Sequence, residues 1–208
     1  MGRKVKIVGL GGSLDGSSSS LAALTVALEA AGDAGAEIEL LDLHEMRLPM
    51  FEFHLSETPA VRQFVETMAA ADGHIWSSPL YHGTVSGAFK NAVDWLELLN
   101  KRQPPYLTDK VVGLIGTAGG MQGLQAINTM EFIVRSLRGW TVPLTVPVAR
   151  AWQAFDENGH PKEESVDRQL KALGREVARA AAVFCGQHLT TPDATRAASE
   201  INPITVET

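Results

Sequence analysis

The stretch VKIVGLGGSLDGSSSSLAAL, residues 5–24, decides how the rest of the chain is read. Its first part, Val5–Leu10, is short, β-branched and bounded by glycine, the pattern of a buried strand. Its second part opens a helix over Ser18–Ala31, with Leu21, Leu24 and Leu28 on one stripe and Gly32 closing it. Between them lies a turn rich in hydroxyls: Ser13, Ser17, Ser18, Ser19 and Ser20. A strand, a small turn and a helix start make an anion site, because unpaired N–H groups and the positive end of the helix dipole meet there. Neither familiar nucleotide pattern fits. The spacing G-x-G-x-x-G, started at Gly9, meets Leu14 where its last glycine belongs, and a P-loop started at Gly11 meets Ser17 where its lysine belongs. With no lysine or arginine in the turn and with Asp15 opposing high negative charge, the loop suits one phosphate rather than three. Taken alone, it also fits a plain turn with an N-cap.

Working outward, apolar runs alternate with helical periodicity. Strands are predicted at Glu37–Leu43, at 74–78 (HIWSS), at 110–118 (KVVGLIGTA) and at 141–149 (TVPLTVPVA). Helices are predicted at Pro59–Ala71, 84–99, 122–138 and Lys162–Cys185. The two prolines of the fifth strand place it at a sheet edge. Five strands alternating with helices imply an α/β fold with a parallel sheet covered on both faces, and five strands suit the flavodoxin-like order 2-1-3-4-5. Residues 1–187 are read as one domain and 188–208 as a polar tail, disordered or embracing a partner.

The 208 residues carry 18 basic and 24 acidic side chains, a formal charge of −6, which gives no support to nucleic-acid binding. No apolar stretch approaches the ~20 residues needed to span a bilayer. The start, MGRKVKIVGLGG, is too short and glycine-broken in its apolar run to read as a signal peptide, so a cytoplasmic protein is expected. The single cysteine, Cys185, is read as packing in the last helix. Six histidines without H-x-x-x-H or H-x-x-E-H spacing give a metal site no support.

In a sheet of this order, ligands bind at the carboxyl ends of the strands. That brings the first loop beside two others. In SSPLYHGTVSGAFKNAVDW, residues 77–95, Pro79 and Gly83 force an irregular backbone directly after the third strand, with Tyr81 at the tip. Backbone groups from Leu80 to Thr84 can meet the edge of a heteroaromatic ring. In GTAGGMQG, residues 116–123, Gly119 and Gly120 permit close approach of a planar ligand, and the N–H groups from Ala118 to Met121 point to donors for a ring carbonyl.

The second loop resembles the NAD(P)H-dependent FMN reductase family of the flavodoxin-like superfamily. That family carries S-P-x-Y-x-G-S-x-x-G-x-L-K-N-A-x-D-W, close to residues 78–95, and G-S-x-R-x-x-S-x-N after its first strand. The resemblance implies FMN as cofactor, NADPH or NADH as electron donor and hydride transfer as the reaction. It implies phosphate contacts at Ser13, Ser18 and Ser20, with Ser19 beside them, and ring contacts at Pro79, Leu80, Tyr81, His82 and Gly83. Ala118, Gly119, Gly120 and Met121 complete the expected cofactor-binding set. Hydride transfer between stacked rings needs no protein acid or base, so no catalytic side chain is singled out. The chain departs from the pattern at Asp15 (arginine in the family), Ser20 (asparagine), His82 (often asparagine) and Ser86 (often proline).

Further expectations follow. The acceptor is expected to be free FMN, a quinone, an azo compound or a metal ion. Trp95, Leu96, Leu98 and Leu99, with helix 122–138, offer apolar surface for a dimer face, and the resemblance implies a homodimer or homotetramer. The connection HEMRLPMFEF, residues 44–53, is either a lid over the substrate side or a cap on the core. Two rival readings are a non-catalytic electron carrier or regulator, and a dinucleotide enzyme with Asp42 meeting a ribose.

Overall fold

The computed structural model of the protein describes residues 3–186, so the predicted tail lies outside the described residues. The elements run β1 (Lys6–Gly11), α1 (Ser19–Asp33), β2 (Glu37–Asp42), α2 (Leu43–Met46), α3 (Pro59–Ala70), β3 (Gly73–Tyr81), β4 (Thr84–Val85) and α4 (Gly87–Asp94). They continue with β5 (Val111–Thr117), α5 (Gly123–Ser136), β6 (Trp140–Val148), α6 (Ala151–Ala154) and α7 (Glu164–Gly186). The sheet order is β2-β1-β3-β5-β6, with every pair along that path parallel. Counting those five strands in chain order gives 2-1-3-4-5, the flavodoxin-like arrangement.

One strand was not anticipated. Thr84–Val85 pairs antiparallel with Leu80–Tyr81, so the helix expected from residue 84 starts at Gly87 instead. A helical period and a two-residue strand cannot be separated by pattern alone, because the pairing partner lies outside the window. The same helix tightens at its end into a 3-10 turn over Trp95–Leu99. The fifth parallel strand is at the edge, as its prolines required. Its register against β5 jumps from Val112 opposite Thr141 to Leu114 opposite Thr145, a bulge that takes in Pro143.

All seven residues of β5 are buried, as a strand covered on both faces requires. One core layer packs Val8, Leu10, Trp76 and Leu114 against α3, α4 and α5. The other packs Ile7, Ile75 and Ile115 against α1 and α7. Fully burying each such aliphatic side chain contributes roughly 1.5–3 kcal/mol. Trp95, Leu96 and Leu99 are at most 1% exposed, so they belong to this core and not to a free apolar face. Cys185 is exposed, because the last turn of α7 runs past the buried stripe that ends at Ala181.

Candidate functional site

The carboxyl ends of the strands open onto a cleft of about 390 Å³ lined by Ser13, Asp15, Ser17, Ser18, Ser19, Ser20, Pro79, Leu80, Tyr81, Thr117, Ala118, Gly119, Ala151 and Trp152. All three loops singled out in the sequence therefore contribute. Of the expected cofactor-binding residues, Ser13, Ser18, Ser19, Ser20, Pro79, Leu80, Tyr81, Ala118 and Gly119 line it. His82 and Gly83 stand one step beyond, with φ of 49° and 88°, as the two-residue turn between β3 and β4. Gly120 and Met121 belong to the third loop but do not line the cleft.

The first loop is held by its own hydroxyls. Ser18 caps α1, its Oγ accepting from the amides of Ser20 at 3.2 Å and Leu21 at 3.5 Å, and it shares a 2.8 Å hydrogen bond with the Ser20 hydroxyl. Ser13 Oγ accepts from the Asp15 amide at 3.0 Å. Asp15 in turn accepts from the Ser17 amide and hydroxyl, both at 3.0 Å. Those hydrogen bonds hold the Asp15 carboxyl below its ordinary range, so it is ionised beside the turn. Asp42, at the end of β2, accepts the His44 amide at 2.9 Å and caps α2, and it does not line the cleft.

The second loop is tied to the first. The Gly12 amide donates to the Ser77 carbonyl at 2.8 Å, and the Ser86 hydroxyl donates to the Gly12 carbonyl. A Cβ at residue 12 would stand 2.9 Å from both the Ser77 oxygen and the Phe89 Cβ, so only glycine permits this approach. Ser86 also caps α4 by accepting from the Phe89 amide at 3.0 Å, a polar substitute for the family's proline at a helix start. The buried Ser78 Oγ accepts from the Ser86 amide at 3.1 Å and donates to the Pro79 carbonyl at 3.0 Å.

The K-N-A-x-D-W portion of the motif works at a distance from the cleft. Asn91 accepts from the Phe51 amide at 2.8 Å and donates to the Pro49 carbonyl at 2.9 Å, where Trp95 Nε1 also donates at 3.0 Å. Phe51 packs edge-on against Trp95, with ring centroids 5.0 Å apart. The 49–51 connection is thus pinned onto the core, while Met50 and Phe53 remain exposed.

Sequence reasoning missed Thr117, Ala151 and Trp152. The last two sit on α6, immediately after β6, where no recognised motif stands. The signal was positional: in this strand order the loop after the fifth parallel strand also ends at the ligand side. Ser19 Oγ donates to the Ala151 carbonyl at 2.7 Å, joining α6 to the first loop and presenting Trp152, 74% exposed, at the cleft.

A family model described as NADPH-dependent FMN reductase matches residues 5–153. The NADPH-dependent FMN reductase ArsH of Rhizobium meliloti (strain 1021) is 32% identical over 131 residues, which are 63% of this chain and 53% of that protein. The FMN-dependent NADPH-azoreductase of Staphylococcus aureus (strain USA300) is 34% identical over 143 residues, 65% of this chain and 72% of that one. This chain thus spans about half the length of the first relative and nearly three-quarters of the second. Among solved structures, FerB, a flavoenzyme NAD(P)H:(acceptor) oxidoreductase from Paracoccus denitrificans, superposes with a TM-score of 0.69 at 19% identity, over 88% of this chain and 99% of that one. At that identity the likeness speaks for the fold. The family match runs from β1 to the middle of α6 and takes in every loop of the cleft, and on that match the chain belongs to the NADPH-dependent FMN reductase family.

Proposed function

We propose that the protein is an FMN-binding NAD(P)H-dependent oxidoreductase, first a flavin reductase moving hydride from NAD(P)H to FMN. The observation that carries this reading is the single cleft joining the hydroxyl-rich start of α1 to the Pro79–Tyr81 and Thr117–Gly119 backbones. Its two ends have different chemistry. One end offers the start of α1 with the hydroxyls of Ser18 and Ser20, suited to a phosphate. The other offers flat, glycine-containing backbone, with open space at Gly119, suited to the edge of a ring. FMN, when bound, supplies the hydride-accepting ring. The protein's part is to orient that ring with Pro79–Tyr81, to wall the cleft with Trp152 and to hold the phosphate on the first loop. No side chain is assigned a proton, because ring-to-ring hydride transfer depends on stacking.

The acceptor is a small molecule. Free FMN is the first candidate, and an azo compound or quinone the second, since the Staphylococcus aureus relative is named an azoreductase. A cytoplasmic homodimer or homotetramer accompanies this reading. Leu124 and Phe132, exposed on α5, offer the apolar surface for association. Among the described residues, no helix is long and apolar enough to cross a membrane.

The test is anaerobic. FMN is added to the protein, then NADPH and NADH separately, while the flavin absorbance band is followed. Rapid bleaching by one nucleotide is the expected result and names the donor. Bound flavin that resists both nucleotides indicates a carrier or regulator, and absence of flavin binding overturns the reading.

A further inference from the structure

Resting on the reading of the protein as an NAD(P)H-dependent flavoenzyme, we propose that a second chamber beside the cleft holds the adenosine half of the nicotinamide donor, with Trp152 as its stacking wall and Glu157 opposing a 2′-phosphate. The chamber, of about 420 Å³, lies between α1, α6 and the turn Asp156–Gly159. It shares Ser17–Ser19, Ala151 and Trp152 with the cleft, so one wall serves both. That wall is fixed by the first and third loops. Ser19 Oγ donates to the Ala151 carbonyl at 2.7 Å, the Ala151 amide to the Ala118 carbonyl at 2.9 Å, and the Arg150 amide to the Gly120 carbonyl at 3.3 Å. The far side is equally built. Asp156 Oδ1 accepts the Asn158 amide at 2.9 Å and the His160 amide at 2.8 Å, and a Cβ at Gly159 would stand 3.6 Å from the Ala22 Cβ. On this fixed backbone Trp152 is exposed and borders both cavities.

The lining has the mixed chemistry of a nucleoside site. Trp152 and Phe155 bring aromatic rings, and an aromatic ring stacks on the face of any base. Asn158 offers both a donor and an acceptor to a base edge. Glu157, exposed at the rim, is an acceptor for ribose hydroxyls. With Asp156 beside it and no lysine or arginine in the lining, a phosphate on the 2′ oxygen meets like charge there. The occupant follows from the reaction. The dinucleotide donor carries a whole nucleoside that takes no part in hydride transfer and must rest outside the ring end of the cleft. Binding that remote half holds the nicotinamide in place for transfer. A quinone or azo acceptor is flat but brings no ribose to meet Glu157.

The test is made on FMN-loaded protein without oxygen. Bound flavin is reduced by NADH, by NADPH and by reduced nicotinamide mononucleotide, which lacks the adenosine half. Half-saturating concentrations and limiting rates are read from the flavin band. In wild type the mononucleotide should need about ten-fold more for half-saturation than the better dinucleotide, the size of one base–aromatic stack. In Trp152→Ala that advantage should fall to about two-fold, and Trp152→Phe, which keeps an aromatic face, should retain most of it. ADP-ribose binding to the FMN-loaded protein, followed by calorimetry without turnover, should weaken about ten-fold in Trp152→Ala. Glu157→Arg should lower half-saturation for NADPH relative to NADH about five-fold, the size of an exposed ion pair. A dinucleotide advantage equal in wild type and Trp152→Ala overturns the proposal and leaves the flavin site standing. Should that variant not fold, an unchanged NADPH-to-NADH ratio in Glu157→Arg overturns it equally. FMN that binds but resists both dinucleotides leaves the flavin site and removes the donor chamber; wild type that binds no FMN removes both.

Discussion

At the amino end of the sheet, Asp72 accepts the Lys6 amide at 2.8 Å and the Arg3 guanidinium at 2.5 Å, while Lys110 donates to the carbonyls of Ala69 and Ala71. At the carboxyl end, Ser13, Ser18 and Ser20 ring the mouth of a cleft whose far wall is backbone and glycine. Both ends are polar, yet their polar groups do different work. Those at the amino end are spent on closing loops and covering the ends of strands. Those at the carboxyl end hold one another in a turn that lines the cleft at the start of α1. A charged group in a fold is thus a poor guide to function until its partners are known, and hydroxyls with capping geometry at a helix start are a better one.

The sharpest way to break this contrast is acid. His74, fully buried on β3 with neither ring nitrogen hydrogen-bonded, has its pKa lowered to about 3, because burial disfavours the imidazolium and Lys110 adds repulsion. The native state then stays unprotonated while the unfolded chain takes up a proton below pH 6.5, so stability falls as pH drops from 6.5 toward 3. The loss reaches roughly 3 kcal/mol by pH 4. Urea unfolding at pH 7 and pH 4 should show it, and His74→Leu should flatten that part of the pH dependence.

Next in size, Lys110→Met leaves the Ala69 and Ala71 carbonyls without their donor and should cost about 1–3 kcal/mol in urea unfolding. FMN affinity should stay unchanged, since Lys110 lies at the opposite end of the sheet; a shift in Kd would mean that the two ends are coupled. Ser18→Ala inverts the pattern. It should weaken FMN about ten-fold while removing about 1 kcal/mol of helix capping. Tyr81→Ala should weaken FMN binding or slow turnover with the fold retained. If neither Ser18→Ala nor Tyr81→Ala alters flavin affinity or rate, the cleft has been assigned the wrong ligand. The smallest effect belongs to His82→Gly. Relief of a positive φ of 49° is worth about 1–2 kcal/mol and is mostly offset by the entropy of glycine, leaving a net gain of about 0.5 kcal/mol in thermal unfolding.

Much of the molecule was legible beforehand where the signal is local. Ile7–Leu10 and Val111–Gly116 are short apolar runs bounded by polar residues or glycine, the pattern of strands covered on both faces. The serines of the first loop announce a helix start because capping is decided by four consecutive residues. The β3–β4 hairpin was not legible, since Thr84–Val85 reads equally as the first turn of α4 until Leu80–Tyr81 is folded back upon it. Trp95, Leu96 and Leu99 looked like a spare apolar face; α3 and the 49–51 connection cover them.

The sequence by itself determined the five parallel strands, the three loops of the cleft and the family to which the chain belongs, because periodicity, capping and a long motif are properties of neighbours along the chain. Only the tertiary structure decided that α6 carries Trp152 to the cleft, that Asn91 and Trp95 serve the core, and that His44 lies against Gly16. Each of those depends on a contact between segments distant in sequence, and a parallel sheet makes such contacts by aligning the carboxyl ends of strands that are far apart along the chain.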